Sequence, residues 1–268
     1  MRVVSIALFL AASTAFAQLG APYNAPAGPE RTWTLGAQTF GPTLTGHFSG
    51  KQDGQPILVD LEADLGLGKD KATAGFFVDY QGPRFALQVS SGTVEYLGDR
   101  VVNRVVTINN VPYAIGSRVQ SRVKLAAVDG TWTIKFVSDP TGWLGLDLGV
   151  KSWTLDMDAA GTLPLPAPQT PTRASTRVTV PIPQIGLSGG SRGYNGAVEA
   201  KAYVHFLAYK QAKYTLLGAD VRVFPVKWFG LRAFYEGGKF DVPKGSVKDD
   251  LEFMLECKGV GMGAVIRF

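Results

Sequence analysis

The last segment of the chain is apolar at every second position, and this period limits the fold more than any other feature of the sequence. Counting back from the C-terminus, Phe268, Ile266, Ala264, Met262 and Val260 are apolar, whereas the residues between them are mostly glycine or charged. A period of two belongs to a β-strand, whose side chains alternate between two faces. A strand with one wholly apolar face predicts a sheet that turns this face to lipid.

The first residues are typical of a secretory signal peptide. Arg2 precedes an apolar run over residues 3–12, and Ala15 and Ala17 supply the small residues of a cleavage site before Gln18. No cysteine follows that site, so a lipoprotein anchor is not expected. No later apolar run reaches the roughly 18 residues of a membrane-spanning helix. If the mature chain crosses a bilayer, we expect it to do so as strands.

Composition and charge favour one all-β domain. The 268 residues include 32 glycines, 16 prolines and 11% aromatic residues, and all-β barrels or sandwiches often fill such a length as one domain. The formal net charge of +5 falls to +4 without Arg2, an excess too small to predict a nucleic-acid partner. The single cysteine, Cys257, provides no internal disulfide.

The sequence divides into a signal peptide at residues 1–17, a flexible Pro/Gly-rich periplasmic segment at residues 18–39 and a β-barrel domain at residues 40–268. Alternating segments, joined by short and long connections in turn, predict an up-and-down antiparallel transmembrane barrel of about ten strands, within a range of eight to twelve. Short turns would face the periplasm and longer loops the exterior. Residues 40–51 form the first strand, with Leu44 assigned to the lipid face. Residues 177–187 fit least well, because Pro181 and Pro183 interrupt them.

A soluble β-sandwich or lipocalin-like barrel is the alternative, since its strands also alternate. In such a fold the apolar face points inward and the opposite face is richly charged. Here the apolar faces carry tryptophan and tyrosine near their ends, as in the aromatic girdles of membrane barrels. The pattern therefore favours the membrane barrel.

The polar faces carry the candidate site, a set of charged residues of both signs on several strands: Asp129, Lys135, Asp147, Lys151, Glu199, Lys201, Asp220, Arg222, Arg232 and Glu236. Opposite charges on one face of paired strands attract, and a charge left unpaired in a poorly hydrated interior costs several kcal/mol. A barrel of about ten strands is also too narrow for a wide aqueous channel. We expect an ion-paired plug, with a path for small charged solutes as the alternative.

No catalytic, cofactor-binding or metal site is predicted. The segment from Gly186 to Gly190 matches the letters of a nucleophile elbow, but no helical pattern follows it. Asp60, Glu62 and Asp64 alternate in the first long loop and could share Ca²⁺, although a solvated loop is the simpler interpretation. Neither histidine has a neighbour at metal-ligand spacing.

The chain resembles the small, poorly characterised outer-membrane β-barrel proteins of Gram-negative bacteria. The resemblance covers residues 40–268, and its specific motif is the terminal strand that ends in Phe268. In proteins of that group, the barrel-assembly machinery recognises a terminal strand similar to this one. The resemblance thus implies Phe268 as an assembly signal, the machinery as a transient partner, and outer-membrane lipid and lipopolysaccharide as surroundings. It implies no cofactor and no catalytic residue.

Three functions stay open at this point. The first is a non-enzymatic integral outer-membrane barrel with a structural role or slow passage of small solutes. The second is a surface binding or adhesion module that uses its extracellular loops, above all residues 93–117 and 158–176. The third is a lipid-modifying enzyme, for which a serine would have to lie beside His205. The sequence predicts neither a transported solute nor an oligomeric state.

Overall fold

The computed structural model describes residues 31–52, 55–64, 67, 73–103, 105–108, 111–162, 172–209, 212–243 and 252–268. The predicted signal peptide and residues 18–30 of the predicted leader lie outside these ranges. Among the described residues, no helix is long and apolar enough to cross a membrane. The strands are β1 (Thr32–Gln52), β2 (Gln55–Asp60), β3 (Thr73–Gln81), β4 (Phe85–Val101), β5 (Val106–Ile108), β6 (Val111–Tyr113), β7 (Arg118–Ser138), β8 (Gly142–Thr162), β9 (Thr172–Gly193), β10 (Val198–Tyr209), β11 (Ala212–Val226), β12 (Phe229–Val242) and β13 (Glu252–Arg267).

Ten of these strands close into one antiparallel barrel, as the sequence predicts. Each pairs with the next in the order β1, β3, β4, β7, β8, β9, β10, β11, β12 and β13, and β13 pairs back to β1. The backbones of Trp33 and Phe268 complete the closure with hydrogen bonds of 2.8 and 3.0 Å. Strand β2 continues β1 as a hairpin, and β5 with β6 forms a separate two-stranded sheet.

The two ends of the barrel differ in their connections. The end that carries both barrel termini, called here the terminal end, has tight turns at residues 82–84, 139–141, 194–197 and 227–228. The opposite end, called the loop end, carries β2, the β5–β6 hairpin and most of the longer connections. This asymmetry matches the predicted sorting of short and long connections.

An exposed apolar belt surrounds the terminal half of the barrel. On β7, Val128, Trp132, Ile134 and Phe136 point outward and are 38–63% exposed, whereas Thr133 between them is buried. From Phe136 to Val128 the belt rises about 20 Å, at about 3.3 Å per residue and a strand tilt of roughly 40°. Other outward members are Leu87, Val89, Leu148, Val150, Ile185, Leu187, Leu217, Val221, Val260 and Met262. Exposed aromatic side chains lie near its terminal edge: Trp33, Phe85, Trp228 and Phe268.

Towards the loop end of the same strands, the inward face becomes the apolar one and the outward face becomes polar. On β7, Val119, Val123 and Leu125 point inward and are buried, whereas Arg118 and Arg122 point outward into solvent. The loop-end part of the barrel is called here the upper tier. It is apolar inside, and along β4, β7, β8 and β9 its outer face is mainly polar. That arrangement is typical of a sheet in water.

The interior of the upper tier is closed by packed side chains. An apolar cluster fills it: Leu44, Leu61, Leu67, Val94, Tyr96, Val102, Tyr113, Val119, Val123, Ala159, Ile182, Tyr214, Leu216, Phe240, Val242 and Leu255. Tyr113 of the β5–β6 hairpin is 2% exposed, and its hydroxyl donates to the Ala159 carbonyl at 3.1 Å. Inside the barrel, the Tyr96 hydroxyl donates to the Pro42 carbonyl at 2.9 Å, and this bond joins β4 to β1.

The structure corrects two predictions for β1. The strand begins at Thr32, so the predicted boundary between leader and barrel at residue 40 was placed too late. Leu44 is 6% exposed and points inward, not to lipid, because this part of β1 belongs to the apolar interior of the upper tier. Beyond it Gly46 bends the strand at φ +145°, where a Cβ would lie 2.0 Å from the Met254 carbonyl oxygen.

Strand β9 runs unbroken through Pro181 and Pro183, the residues that made it the weakest prediction. Both prolines are exposed on the outer face. On the β10 side, β9 pairs only as far as Ile185 opposite Phe206, and both prolines lie beyond that point. The missing N–H groups therefore cost no bond to β10.

Candidate functional site: the lumenal charge network

All ten charged residues of the predicted set lie on the inner face, in the half of the barrel that the apolar belt surrounds. The alternation of each strand places them there, because they occupy the positions between outward belt residues. Some of their partners lie on the same or the neighbouring strand, and others lie across the lumen on distant strands. Three clusters and a terminal-end layer result.

The first cluster joins β11 to β3 and β12. Arg222 is 4% exposed and donates to Asp79 Oδ2 at 2.8 Å and to Asp220 Oδ1 at 3.1 Å. Asp220 also accepts from Arg232, which in turn donates to Gln38 of β1. Asp79 does not belong to the set predicted from the sequence, since a partner four strands away leaves no local signal.

The second cluster joins β8 to β12. Lys151 Nζ donates to Glu236 Oε1 at 2.7 Å, and the Tyr203 hydroxyl donates to the other oxygen of Glu236 at 2.9 Å. Tyr203 reaches this far because its ring lies flat over Gly218, where a Cβ would come within 2.1 Å of the ring. Asp129 accepts from the Gln184 amide at 3.1 Å and lies 4.0 Å from Lys151.

The third cluster is centred on Asp147, which is 1% exposed. It accepts hydrogen bonds from the hydroxyls of Thr133 at 2.6 Å and Ser188 at 2.7 Å, and it contacts His205 Nε2 at 2.8 Å. The serine therefore bonds to the carboxylate and not to the imidazole. A nucleophilic triad needs the imidazole between the two, so this arrangement does not activate Ser188.

Cationic side chains dominate the terminal-end layer. Glu199 forms an ion pair with Arg192 at 3.3 Å and accepts a hydrogen bond from Arg267 at 3.0 Å. Lys201 donates to Gln88 on the far side of the lumen at 2.9 Å, and Lys135 donates to the Gly82 carbonyl at 2.7 Å. Both ammonium groups also lie over the indole of Trp143, at 5.1 Å for Lys135 and 5.9 Å for Lys201.

Two other sequence hypotheses concern metals and the catalytic motif. Among the described residues, no group of three or more His, Cys, Asp or Glu side chains is placed to hold a metal ion. In the first long loop, Asp60 Oδ1 accepts from the backbone of Glu62 and Ala63, and Asp64 accepts from the Asp60 backbone at 2.7 Å. These carboxylates cap a turn. The segment Gly186–Gly190 lies within β9 and not at a strand-to-helix turn.

Side chains project into the lumen both inside the belt and in the upper tier. Charged and polar side chains bridge opposite walls inside the belt, and the apolar cluster with the β5–β6 hairpin fills the upper tier. Such cross-lumen bonds tie together strands that are distant in the sheet. The geometry can brace the barrel and obstruct the passage of ions.

Comparison with known proteins returned no matching family model and no matching curated protein. Solved structures that align with the chain include Ail, the attachment invasion locus protein of Yersinia pestis, at 13% identity over 90% of this chain and 100% of that one, with a TM-score of 0.33. The translocator domain of the autotransporter NalP from Neisseria meningitidis aligns at 10% identity over 97% and 96%, with a TM-score of 0.40. The outer membrane protein AlkL aligns at 13% identity over 93% and 95%, with a TM-score of 0.36. With TM-scores below 0.5, these alignments carry no argument about this chain.

Proposed function

We propose that the chain is a non-enzymatic, integral outer-membrane barrel with a closed lumen and a mainly structural or surface-presenting role. The terminal end faces the periplasm and the loop end faces the exterior. Lipid surrounds the apolar belt, and the upper tier stands in water. The observation that carries the proposal is the inversion of the apolar face along β7, between Val128 outside and Leu125 inside.

The inversion favours a membrane barrel because a soluble barrel would keep one apolar face along the whole strand. Exposing the belt to water would leave a continuous apolar surface far larger than monomeric soluble proteins tolerate. In the half surrounded by the belt, the interior is polar, and ion pairs connect its strands. This suits a chain whose exterior is lipid. Above this half the interior is apolar, which suits a chain whose exterior is water.

The closed lumen distinguishes a structural role from solute passage. Lys151 with Glu236, and Arg222 with Asp79, each span the lumen inside the belt. An ion moving through would have to break these pairs and also pass the apolar cluster around Tyr113. Both steps carry a large desolvation cost, so the proposed barrel does not conduct.

Planar-bilayer recording of the refolded, signal-free protein tests this proposal. We expect insertion without conductance steps, and the same silence after deletion of residues 105–113, because the ion-paired layer stays in place. Steady, ion-selective conductance from the wild-type protein would overturn the closed lumen in favour of a solute path.

A further inference from the structure

The outer surface of the upper tier is a four-stranded wall of ordered charges. One row across it reads Glu95, Lys124, Asp156 and Arg177 on β4, β7, β8 and β9, directly opposite one another in register. Cross-strand neighbours on one face interact, so this order of alternating signs is stabilising. Its ion pairs include Arg177 with Asp156 at 3.4 Å.

The charges of the wall are only partly neutralised by one another. At its top, Arg118 donates two hydrogen bonds to Asp99, which lower the pKa of that carboxyl below its usual value. In contrast, no ion pair within the described part of the chain involves Lys124, Asp158 or Arg173. Lys124 and Arg173 are therefore available to an outside partner, whereas Asp158 also attracts Arg122, which lies opposite it.

A groove crosses the wall at this place. It has a volume of about 410 Å³ and is lined by Arg122, Lys124, Asp156, Asp158, Ser175 and Arg177. A second groove of about 650 Å³ adjoins it towards the loop end and shares Arg122, Asp158 and Ser175 with it. Cationic groups beside carboxylates and a hydroxyl form a surface that pairs with phosphate and also accepts hydrogen bonds from sugar hydroxyls.

The height of the groove above the apolar belt determines which ligand can reach it. Lys124 lies four residues beyond Val128, the last apolar belt residue on β7, which corresponds to about 10 Å above the belt. The interval carries small and hydroxyl side chains, including Thr154 and Thr179, whose hydroxyls lie 3.0 Å apart. A phospholipid headgroup layer is only roughly 5–8 Å thick on each side of the hydrocarbon, so it does not reach Lys124.

We infer that the groove around Lys124 and Arg177 binds the phosphate-bearing saccharide of an outer-leaflet glycolipid whose sugars stand higher than a phospholipid headgroup. The inference rests on the proposed membrane barrel. Lys124 and Arg177 contact phosphate, while Asp158 and Ser175 contact sugar hydroxyls. The acyl chains of the same molecule lie along the apolar belt below. Binding therefore involves the strand wall and not only the loops.

Native mass spectrometry of the barrel in nanodiscs tests the site. Phosphatidylcholine discs would contain phosphatidylglycerol, lipid A, or rough lipopolysaccharide with a phosphorylated core as the probe. We expect selective retention of the core-bearing lipopolysaccharide. Charge reversal by Lys124→Glu with Arg177→Glu should weaken that retention at least about ten-fold, since it removes two charge-assisted contacts to phosphate, each of which contributes about ten-fold. The milder pair Lys124→Gln with Arg177→Gln should show an intermediate loss.

The matched control reverses two outward lysines on the opposite side of the barrel, Lys213→Glu with Lys239→Glu, and should leave retention unchanged. Equal loss in both pairs would overturn the site, as would equal retention of phosphatidylglycerol or lipid A. Equally tight binding of the free core oligosaccharide would overturn a glycolipid partner in favour of a soluble glycan. Failure to insert into the discs at all would instead count against the proposed membrane barrel.

Discussion

Truncation of Arg222 should be among the most destabilising single changes in the lumen. Its guanidinium bonds to Asp79 and Asp220 in a site where all three side chains are at most 5% exposed. After Arg222→Ala, Asp220 keeps Arg232, but Asp79 keeps only the Gln81 amide as a described hydrogen-bond donor. Breaking a buried ion pair from one side costs about 3–5 kcal/mol, because a charge is left without compensation.

A second substitution, at Asp79, tests whether the unpaired carboxylate causes this loss of stability. Adding Asp79→Ala to Arg222→Ala removes the stranded carboxylate, so the double variant should recover about 2 kcal/mol relative to additivity. Urea unfolding of the refolded barrel in lipid vesicles, followed by tryptophan fluorescence, measures each free energy. Arg177→Ala is the control, because its ion pair is exposed and should contribute no more than about 1 kcal/mol. Strict additivity of the two lumenal substitutions would refute the reasoning.

Three further outcomes follow from the belt, the closure and a turn. Leu148→Arg should destabilise the vesicle-bound barrel by about 2–4 kcal/mol, because it puts a charge into hydrocarbon. Gln120→Arg, above the belt, should change the free energy of unfolding little. Equal effects of the two substitutions would contradict the belt. Deletion of Phe268 should lower outer-membrane levels in cells but not export, as fractionation would reveal, and unchanged levels would remove its role as an assembly signal. Bonds from the Thr141 hydroxyl and nearby N–H groups lower the pKa of Asp139, so the protection of amides in this turn, measured against the intrinsic exchange rate at each pH, should fall as the pH drops below about 4. Asp139→Asn should abolish that pH dependence of the protection.

Local alternation was sufficient to predict much of the fold. A period of two assigns a face from a residue and its immediate neighbours, and closed ten-stranded pairing agrees with the count of such segments. The outward position of Val128, Trp132 and Met262 follows from this pattern alone. Strand faces are therefore readable wherever one environment surrounds the whole strand.

The errors arise where the environment changes along a strand. Leu44 was assigned to lipid on the assumption that apolar means outward, but its part of β1 lies in the upper tier, where the apolar face is internal. The signal was present in the sequence: from residue 118 to residue 125, charge and apolar character alternate in the phase opposite to residues 128–136. A change of phase within one strand marks the height at which lipid gives way to water.

The partners of the lumenal charges were not predictable in the same way. Alternation places Arg222 inside, yet its contact with Asp79 depends on how the sheet curls and closes. Likewise, Glu236 pairs with Lys151 of β8, and Glu199 pairs with Arg267 of β13, which is outside the predicted set. Cross-lumen contacts are set by closure and strand stagger, which no short stretch of sequence encodes.

Site-directed spin labelling along the outer face of β7 tests the central claim most directly. Labels at outward positions from Gln120 to Phe136, introduced one at a time in a Cys257→Ala background, report their exposure to oxygen in lipid and to a water-soluble nickel complex. We predict oxygen access without nickel access from Val128 to Phe136, and the reverse at Arg122 and Gln120. Uniform access to the nickel complex along the whole strand in lipid vesicles would contradict a belt bounded by lipid.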